Sequence, residues 1–351
     1  MKKLKFNKPP LFIAYIYTLF VLILNGCAPE EKVNVLTNDG GSYYGFLKKG
    51  YKHGVGRYTW SNGARYEGEW DSDLRSGKGV YDDEEGNRYK GEWLNDQFHG
   101  VGVYIWASGA RYEGSFQEGF RSGNGTMVWS NEDTYEGEWK NNMEHGEGIK
   151  KWADGQYYSG SFIKGNYSGL GSLIWLDGRQ YEGEFVENRI TGEGKYTWPD
   201  GSAYEGSLLK GKKHGEGSMT WADGRRYSGP YKDDKSEGLG QYNWADGRVY
   251  KGEFANNEIT GSGVLNWADG QIYEGEFVKG EFFGFGIFTW PDGKKYVGQF
   301  ENGKKHGEGT FIFINGTRFV GPFVYDQMHG VGFCIDGNST VDCEYSEGVK
   351  M

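Results

Sequence analysis

Six histidines and a recurring pair of glutamates are the residues whose types could carry chemistry. His53, His99, His145, His214, His306 and His329 all stand immediately before a glycine that returns at multiples of 23 residues. Aligned imidazoles suggest a metal site, so spacing has to decide. Equivalent atoms in neighbouring copies of a two-stranded unit lie about 9 to 10 Å apart, whereas each ligand of a zinc ion lies about 2 Å from it. Only His306 and His329 fall in adjacent copies, and Ser76, Thr191, Glu237 and Phe283 take the position elsewhere. The column reads as a loop residue with local hydrogen bonds, and neither a metal nor another cofactor is expected.

The glutamates of Tyr-Glu-Gly-Glu-Trp, as in Glu67 and Glu69, have the types used by glycosidases, whose two carboxyls stand about 5 to 10 Å apart. Here the pair recurs in copy after copy on a face expected to be solvated, and nothing distinguishes one carboxyl as acid and the other as base. The Gly-x-Gly pairs could suggest a phosphate loop, but that needs a strand before and a helix after, and no helical periodicity follows any of them. No nucleophile stands beside a base. The expectation is a protein that is not an enzyme.

What positions these residues is a 23-residue period. Glycine recurs from Gly45 to Gly321, from Gly54 to Gly330 and from Gly56 to Gly332 without insertion or deletion, and the residue two before the first column is Tyr from Tyr43 to Tyr296, then Phe319. Trp60, Trp106, Trp129, Trp152, Trp175, Trp198, Trp221, Trp244, Trp267 and Trp290 share another column, with Asp83 and Phe313 in the gaps. A fixed period of this length marks a repeat architecture and outweighs any domain count suggested by length. The 61 glycines, 26 tyrosines, 21 phenylalanines and 13 tryptophans against seven prolines describe a turn-dense β protein, since disorder depletes aromatics.

The pattern resembles the MORN repeat, with Tyr-Glu-Gly-Glu-Trp at 66–70 and 135–139, Tyr-Glu-Gly-Glu-Phe at 181–185 and 273–277, and His-Gly-Glu-Gly at 145–148, 214–217 and 306–309. The resemblance covers residues 43–341 and implies a run of antiparallel hairpins, usually with a binding or scaffolding role. Departures are Glu132 at a turn glycine, Lys150 in an otherwise apolar column, and the loss of Trp from the thirteenth copy.

Alternate strand residues share a face, so Tyr66, Gly68 and Trp70 point one way and Glu67 and Glu69 the other. Gly54, Gly56, Tyr58 and Trp60 are spaced by two as well. Rings of one strand are expected to lie across bare glycine backbone of the next, in contacts that join successive repeats. Turns such as Ala153-Asp154-Gly155 and Pro199-Asp200-Gly201 connect them. The expected fold is all-β, an elongated single-layer antiparallel meander of stacked hairpins on the order of 120 Å long. Its uncovered face, with Tyr66, Trp70, Tyr112, Trp106, Trp129, Trp152, Trp175, Trp198, Trp221, Trp244, Trp267 and Trp290, is the candidate binding surface, because a large exposed apolar area marks a partner site.

The ends carry further expectations. Leu11–Leu24 is an apolar run behind Lys2, Lys3, Lys5 and Lys8, too short for a spanning helix and shaped like a secretory signal. It ends in Leu24-Asn25-Gly26-Cys27, which looks like the lipobox of bacterial lipoproteins. The resemblance implies a signal peptide over 1–26 and lipidation of Cys27, with an exported protein held on a membrane. Ala28 in place of Asp favours the outer membrane where there are two. Residues 27–42 are expected to be a flexible tether reaching about 45 Å, 43–341 the array, and 342–351 a C-terminal cap or tail. Cys334 and Cys343 flank a hairpin-like turn, and an exported compartment permits a disulfide between them; two separate thiols are the alternative.

A formal charge of -10 disfavours nucleic acid and, because anionic head groups attract basic clusters, a phospholipid surface. Lys212-Lys213-His214 and Lys304-Lys305-His306 are short loop clusters. A protein partner or a second copy is the leading expectation, with glycan or peptidoglycan stacking on the rings as the rival.

Overall fold

The computed structural model describes residues 31–351. All their regular elements are strands, and they form one open antiparallel sheet of 31 strands in which consecutive strands pair as a meander. The leader, Cys27 and the start of the tether lie outside the described residues.

One repeat explains the others. The first strand, Arg65–Asp71, turns through Ser72 and Asp73 into the second, Leu74–Asp82. Both turn residues have positive φ, 51° and 70°, the backbone of a type I′ hairpin, whose twist matches that of the flanking strands. At the other end, Trp60 N–H donates to the Ala64 carbonyl at 2.9 Å and Gly63 N–H to the Trp60 carbonyl at 3.0 Å, closing the turn into the next repeat.

The tyrosine column is the core. Tyr43 and its eleven successors through Tyr296 are all buried. Gly68 and Gly79 face one another across the ladder, and the Tyr66 ring lies over both, so that a Cβ on either would come closer than 3.0 Å to it. The hydroxyl is satisfied as well: Tyr66 Oη donates to the Glu69 carbonyl at 2.9 Å, and all twelve tyrosines make the equivalent bond three residues on. Burying the ring therefore strands no polar atom.

These contacts differ from the expectation in one respect. The ring covers glycines of its own repeat, and it is ring against ring that joins one repeat to the next. Tyr66 meets Trp70 at 5.0 Å and Trp93 at 5.2 Å, both edge to face; Tyr89 meets Trp93 and Phe116 the same way. Each such pair contributes about 0.5–1.5 kcal/mol beyond its area.

The second glycine column is also corrected. Ser76, Gly77 and Lys78 face the single residue Glu69, a bulge between the pairs Gly68–Gly79 and Trp70–Arg75. Gly77 has φ 60°, and all thirteen glycines of this column, Gly54 to Gly330, have φ between 56° and 75°. They are glycine for backbone conformation, not to make room for a ring, and they are not part of the aromatic face.

The array reaches beyond residues 43–341. Val33–Leu36, expected within a flexible tether, is a strand paired with Ser42–Gly45. Its turn repeats the bonds of the others, Thr37 N–H to the Gly41 carbonyl and Gly40 N–H to the Thr37 carbonyl. It is the second half of a preceding repeat, excluded from sequence reading because Val33 and Val35 stand where Gly and Tyr would. At the far end, Ser339–Ser346 pairs with Gly330–Asp336, one residue short of the period. Cys343 takes the glycine position, Val341 the tyrosine position, and Tyr345 meets Phe319 edge to face at 4.8 Å as Phe323 meets Tyr296. Cys334 and Cys343 are disulfide-bonded, their Cα atoms 5.8 Å apart. Residues 342–351 continue the array as a degenerate half repeat that closes it.

Candidate interaction surfaces

Three of the rings expected to bind are core. Tyr66 and Tyr112 are 0 % exposed and Trp70 is 5 % exposed, because neighbouring rings and arginines close over them. Trp70 Nε1 also donates to the Gly56 carbonyl at 3.1 Å. The remaining nine, Trp106, Trp129, Trp152, Trp175, Trp198, Trp221, Trp244, Trp267 and Trp290, are half-buried along the turn that links one repeat to the next.

Few of these tryptophans keep a ring face free. Trp290 lies against Phe288 at 4.5 Å and Phe311 at 5.5 Å, and Trp175 stacks on Tyr196. The Arg248 guanidinium stands 4.8 Å from the Trp244 ring while its Nε bonds Asp246 at 2.9 Å; Arg179 and Arg225 cover Trp175 and Trp221 likewise. Each of these three cations is fixed by the aspartate of its own turn, so the ring and the cation form one unit.

A further column, unnoticed in the sequence, roofs the tyrosines. It is the residue before the histidine position: Lys52, Arg75, Phe98, Arg121, Glu144, Tyr167 and so on to Met328. Phe98 stacks on Tyr89 at 4.0 Å, Tyr167 on Tyr158 at 3.8 Å and Phe282 on Tyr273 at 3.8 Å. Arg75 and Arg121 instead lay a guanidinium 4.3 Å from Trp93 and Trp139. Burial pulls the Arg121, Lys213 and Lys305 pKa values down. No residue-type consensus marks this column, since a planar ring and a guanidinium solve the same packing problem with different letters. Its inward parity was the available signal.

Lys150 belongs to this story. Its Nζ bonds Glu144 Oε1 at 3.0 Å and stands 5.1 Å from the Trp129 ring. The apolar column admits a lysine because, in the same repeat, the roof residue is an acid.

The chemistry candidates resolve locally. Among the described residues no cluster of His, Cys, Asp or Glu could hold a metal ion. The histidines sit in the bulges; His53 Nδ1 is 3.4 Å from Asp71 and His306 Nε2 3.4 Å from Glu301. The two glutamates have different roles, which parity alone missed. Glu67 faces water, whereas Glu69 Oε1 accepts the Lys78 backbone N–H at 2.9 Å, closing the bulge; Glu253 and Gln299 do the same for Ser262 and Glu308.

A second set of rungs runs along the type I′ turns. Asp73 Oδ1 accepts the Lys52 N–H of the preceding hairpin at 2.7 Å, and Asp96, Asn142, Asn188, Asp234, Asn257 and Asp326 make the same bond. A backbone N–H of each type I′ turn after the first also donates to the preceding hairpin, as Asp73 does to the Lys52 carbonyl and Gly119 to the Phe98 carbonyl. Neighbouring repeats are thus tied at the turn and through the ladder, and through rings at the centre except where Leu208 takes the ring's place.

The sequence model described as MORN repeat matches thirteen consecutive segments from residue 43 to residue 341. The chain belongs to the MORN-repeat family. A repeat-based binding or scaffolding role goes with that membership. No curated protein sequence matches the chain. Among solved structures, this MORN protein is similar to the TCP domain of SAS-4 from Drosophila melanogaster in complex with a proline-rich motif of Ana2, at 13% identity, covering 44% of this chain and 85% of that one, with a TM-score of 0.30. The G-box domain of the microcephaly protein CPAP gives 12% identity, 57% and 100% coverage and 0.32. A streptogramin B lyase gives 15%, 84% and 92%, and 0.14.

Proposed function

We propose that this MORN protein is a non-catalytic envelope lipoprotein, anchored through Cys27, whose array serves as a protein–protein interaction scaffold. The observation that carries the reading is the occupied state of the rings. The tyrosines are sealed over glycines and the tryptophans are flanked by neighbouring rings, turn arginines or, at Trp129, Lys150, which leaves little flat platform for a sugar. Exposed apolar side chains such as Val101, Leu170, Leu239 and Phe285 lie instead beside the bulges, spread along the ribbon as protein contacts are.

The anchor stands closer than a long tether would allow. From Cys27 to the first strand at Val33 six residues reach about 20 Å at most, which keeps the first repeats near the lipid surface. Lipidation is tested by metabolic labelling with a fatty-acid probe: the wild-type chain takes up label, Cys27→Ser does not, and equal labelling refutes the anchor. The scaffold is tested by affinity capture from envelope extract beside a tryptophan-fluorescence titration with cell-wall fragments. Capture of a defined protein with no fluorescence change is expected; saturable change with glycan and no captured protein reverses the assignment.

A further inference from the structure

The two residues that flank each type I′ turn form a cross-strand pair on the face opposite the tyrosines. In repeats one to eight these pairs are Lys48–Tyr51, Asp71–Leu74, Leu94–Gln97, Gln117–Phe120, Lys140–Met143, Ile163–Asn166, Val186–Arg189 and Leu209–Lys212. Each pair holds one large apolar side chain, supplied now by one strand and now by the other. All eight are exposed, between 39 and 56 %. The run breaks at repeat nine, where the pair is Lys232–Lys235, and at repeat ten, where it is Ala255–Glu258; a single exposed valine returns at repeat eleven in Val278–Glu281. The tyrosine core makes no use of these residues, yet the apolar line is kept unbroken across a change of strand.

Charge along the line is polarised. Asp71, Asp73, Asp96 and Glu118 belong to repeats two to four, whereas Lys164, Arg189, Lys210 and Lys212 belong to repeats six to eight, with Glu187 the one acid among them. Asp73 and Asp96 each spend one oxygen on the preceding hairpin; Asp71 Oδ1 accepts the Ser72 hydroxyl at 3.1 Å and lies 3.4 Å from His53 Nδ1, which leaves its other oxygen uncommitted. A strip seven repeats long and about four residues deep measures about 58 by 13 Å, near 750 Å², against the roughly 800 Å² per partner of a standard stable interface.

We propose that this ridge binds a second copy of the chain, antiparallel about a two-fold axis at repeat five. Met143 then lies beside the axis, opposite Lys140 of the other copy and one strand, about 5 Å, from its own counterpart, while Phe120 meets Ile163, Leu94 comes beside Val186 and Leu74 meets Leu209. The same operator sets Asp71 against Lys212, Asp73 against Lys210 and Glu118 beside Lys164, three opposite-charge approaches against one like-charge approach, Asp96 with Glu187. Lys140 stands opposite Met143 of the other copy and one strand from its own counterpart, a like-charge approach that the flexible stem relieves by turning outward to water. The inference goes beyond the scaffold reading, because it holds whatever outside protein the array engages.

Cysteine cross-linking tests it in the full chain, in a detergent-solubilised membrane fraction. Met143→Cys alone gives a covalent dimer on mild oxidation. Leu74→Cys and Leu209→Cys give none singly and give one when the two chains are mixed. Phe120→Asp weakens the dimer by more than about 30-fold, and Asp71→Lys weakens it about two- to fivefold, with recovery on adding Lys212→Asp. A chain that sediments as a monomer, a Met143→Cys chain that links only to other proteins, or one that links no better than Phe285→Cys, overturns the proposal.

Discussion

The interior repeats and the C-terminal half repeat solve one problem in two ways. In the interior, a tyrosine ring fills the space above two glycines and its hydroxyl reaches the chain three residues on. In the last half repeat Val341 stands at the tyrosine position and Cys343 at the glycine position, and the disulfide to Cys334 crosses the space instead. The lesson is that glycine here is conditional on the ring. Remove the ring and a side chain becomes admissible, provided something else holds the strands together.

Alkaline pH should separate the two regions most completely. Burial raises the phenol pKa throughout the column, to about 12 for Tyr112, Tyr158, Tyr227 and Tyr250. A group whose folded-state pKa lies above its unfolded value stabilises fully below the unfolded value and ceases to do so as pH rises through the folded one. The array should therefore be at full stability below the ordinary phenol pKa of 10.0 and unfold as pH climbs from there through about 12. Near-ultraviolet tyrosinate absorbance and far-ultraviolet dichroism should change together. A gradual titration with the sheet intact would show that the rings are open to water. The half repeat, tied by its disulfide and lacking this tyrosine, should keep its cross-link through the transition.

Next in size is Gly79→Ala. The new methyl meets the Tyr66 ring closer than 3.0 Å, a rigid group boxed in by Trp70 and Trp93, and overpacking of this kind costs about 3 kcal/mol. In a Tyr66→Val background, which copies the half repeat, the added cost of Gly79→Ala should fall below about 1 kcal/mol, a coupling read by a double-mutant cycle in denaturant. Equal costs in both backgrounds would exclude the ring as the reason for the glycine.

Reduction of the disulfide probes the other solution. Opening a loop of this length costs about 2–3 kcal/mol in the chain-entropy account. Because solenoid repeats contact only their neighbours, the loss should stay local. Hydrogen exchange in Cys334→Ser should quicken over Gly330–Ser346 and leave Tyr66–Asp82 unchanged. Quickening along the whole array would mean that the closing half repeat holds every repeat in place.

Much of this fold was legible before any coordinates. The period, the strand parity of Tyr66, Gly68 and Trp70, and the single layer all follow from invariant columns. What parity could not show was the bulge. Ser76, Gly77 and Lys78 oppose Glu69 alone, so Gly77 is glycine for φ and Glu69 is a hydrogen-bond acceptor, though each stands in a column that looks like its neighbour. The roof column stayed hidden because Arg75 and Phe98 share a shape and not a letter. The turn-side ridge stayed hidden because its apolar residue moves between Leu74 and Leu94, on opposite strands of successive hairpins. The half repeats escaped because Val33 and Cys343 lack the letters that only a ring requires. Sequence columns record chemistry that recurs at one position, and these features recur in space.

The smallest effect is also the most discriminating, since it compares natural solutions atom for atom. Tyr112 buries its ring and donates from Oη to the Ser115 carbonyl at 3.0 Å; Phe319 buries the same ring over Gly321 and Gly332 without a hydroxyl. Tyr112→Phe leaves that carbonyl without this donor and should cost about 1 kcal/mol. Phe319→Tyr places a hydroxyl within reach of the Pro322 carbonyl, the equivalent acceptor three residues on, and should gain up to about 1 kcal/mol if the hydroxyl finds it. Chemical denaturation of both variants reads the pair. Opposite signs of similar size would show that the hydroxyl stabilises each repeat on its own account. A loss in both would mean that the thirteenth repeat, next to the disulfide, packs its ring too closely against Gly332 to admit one more atom.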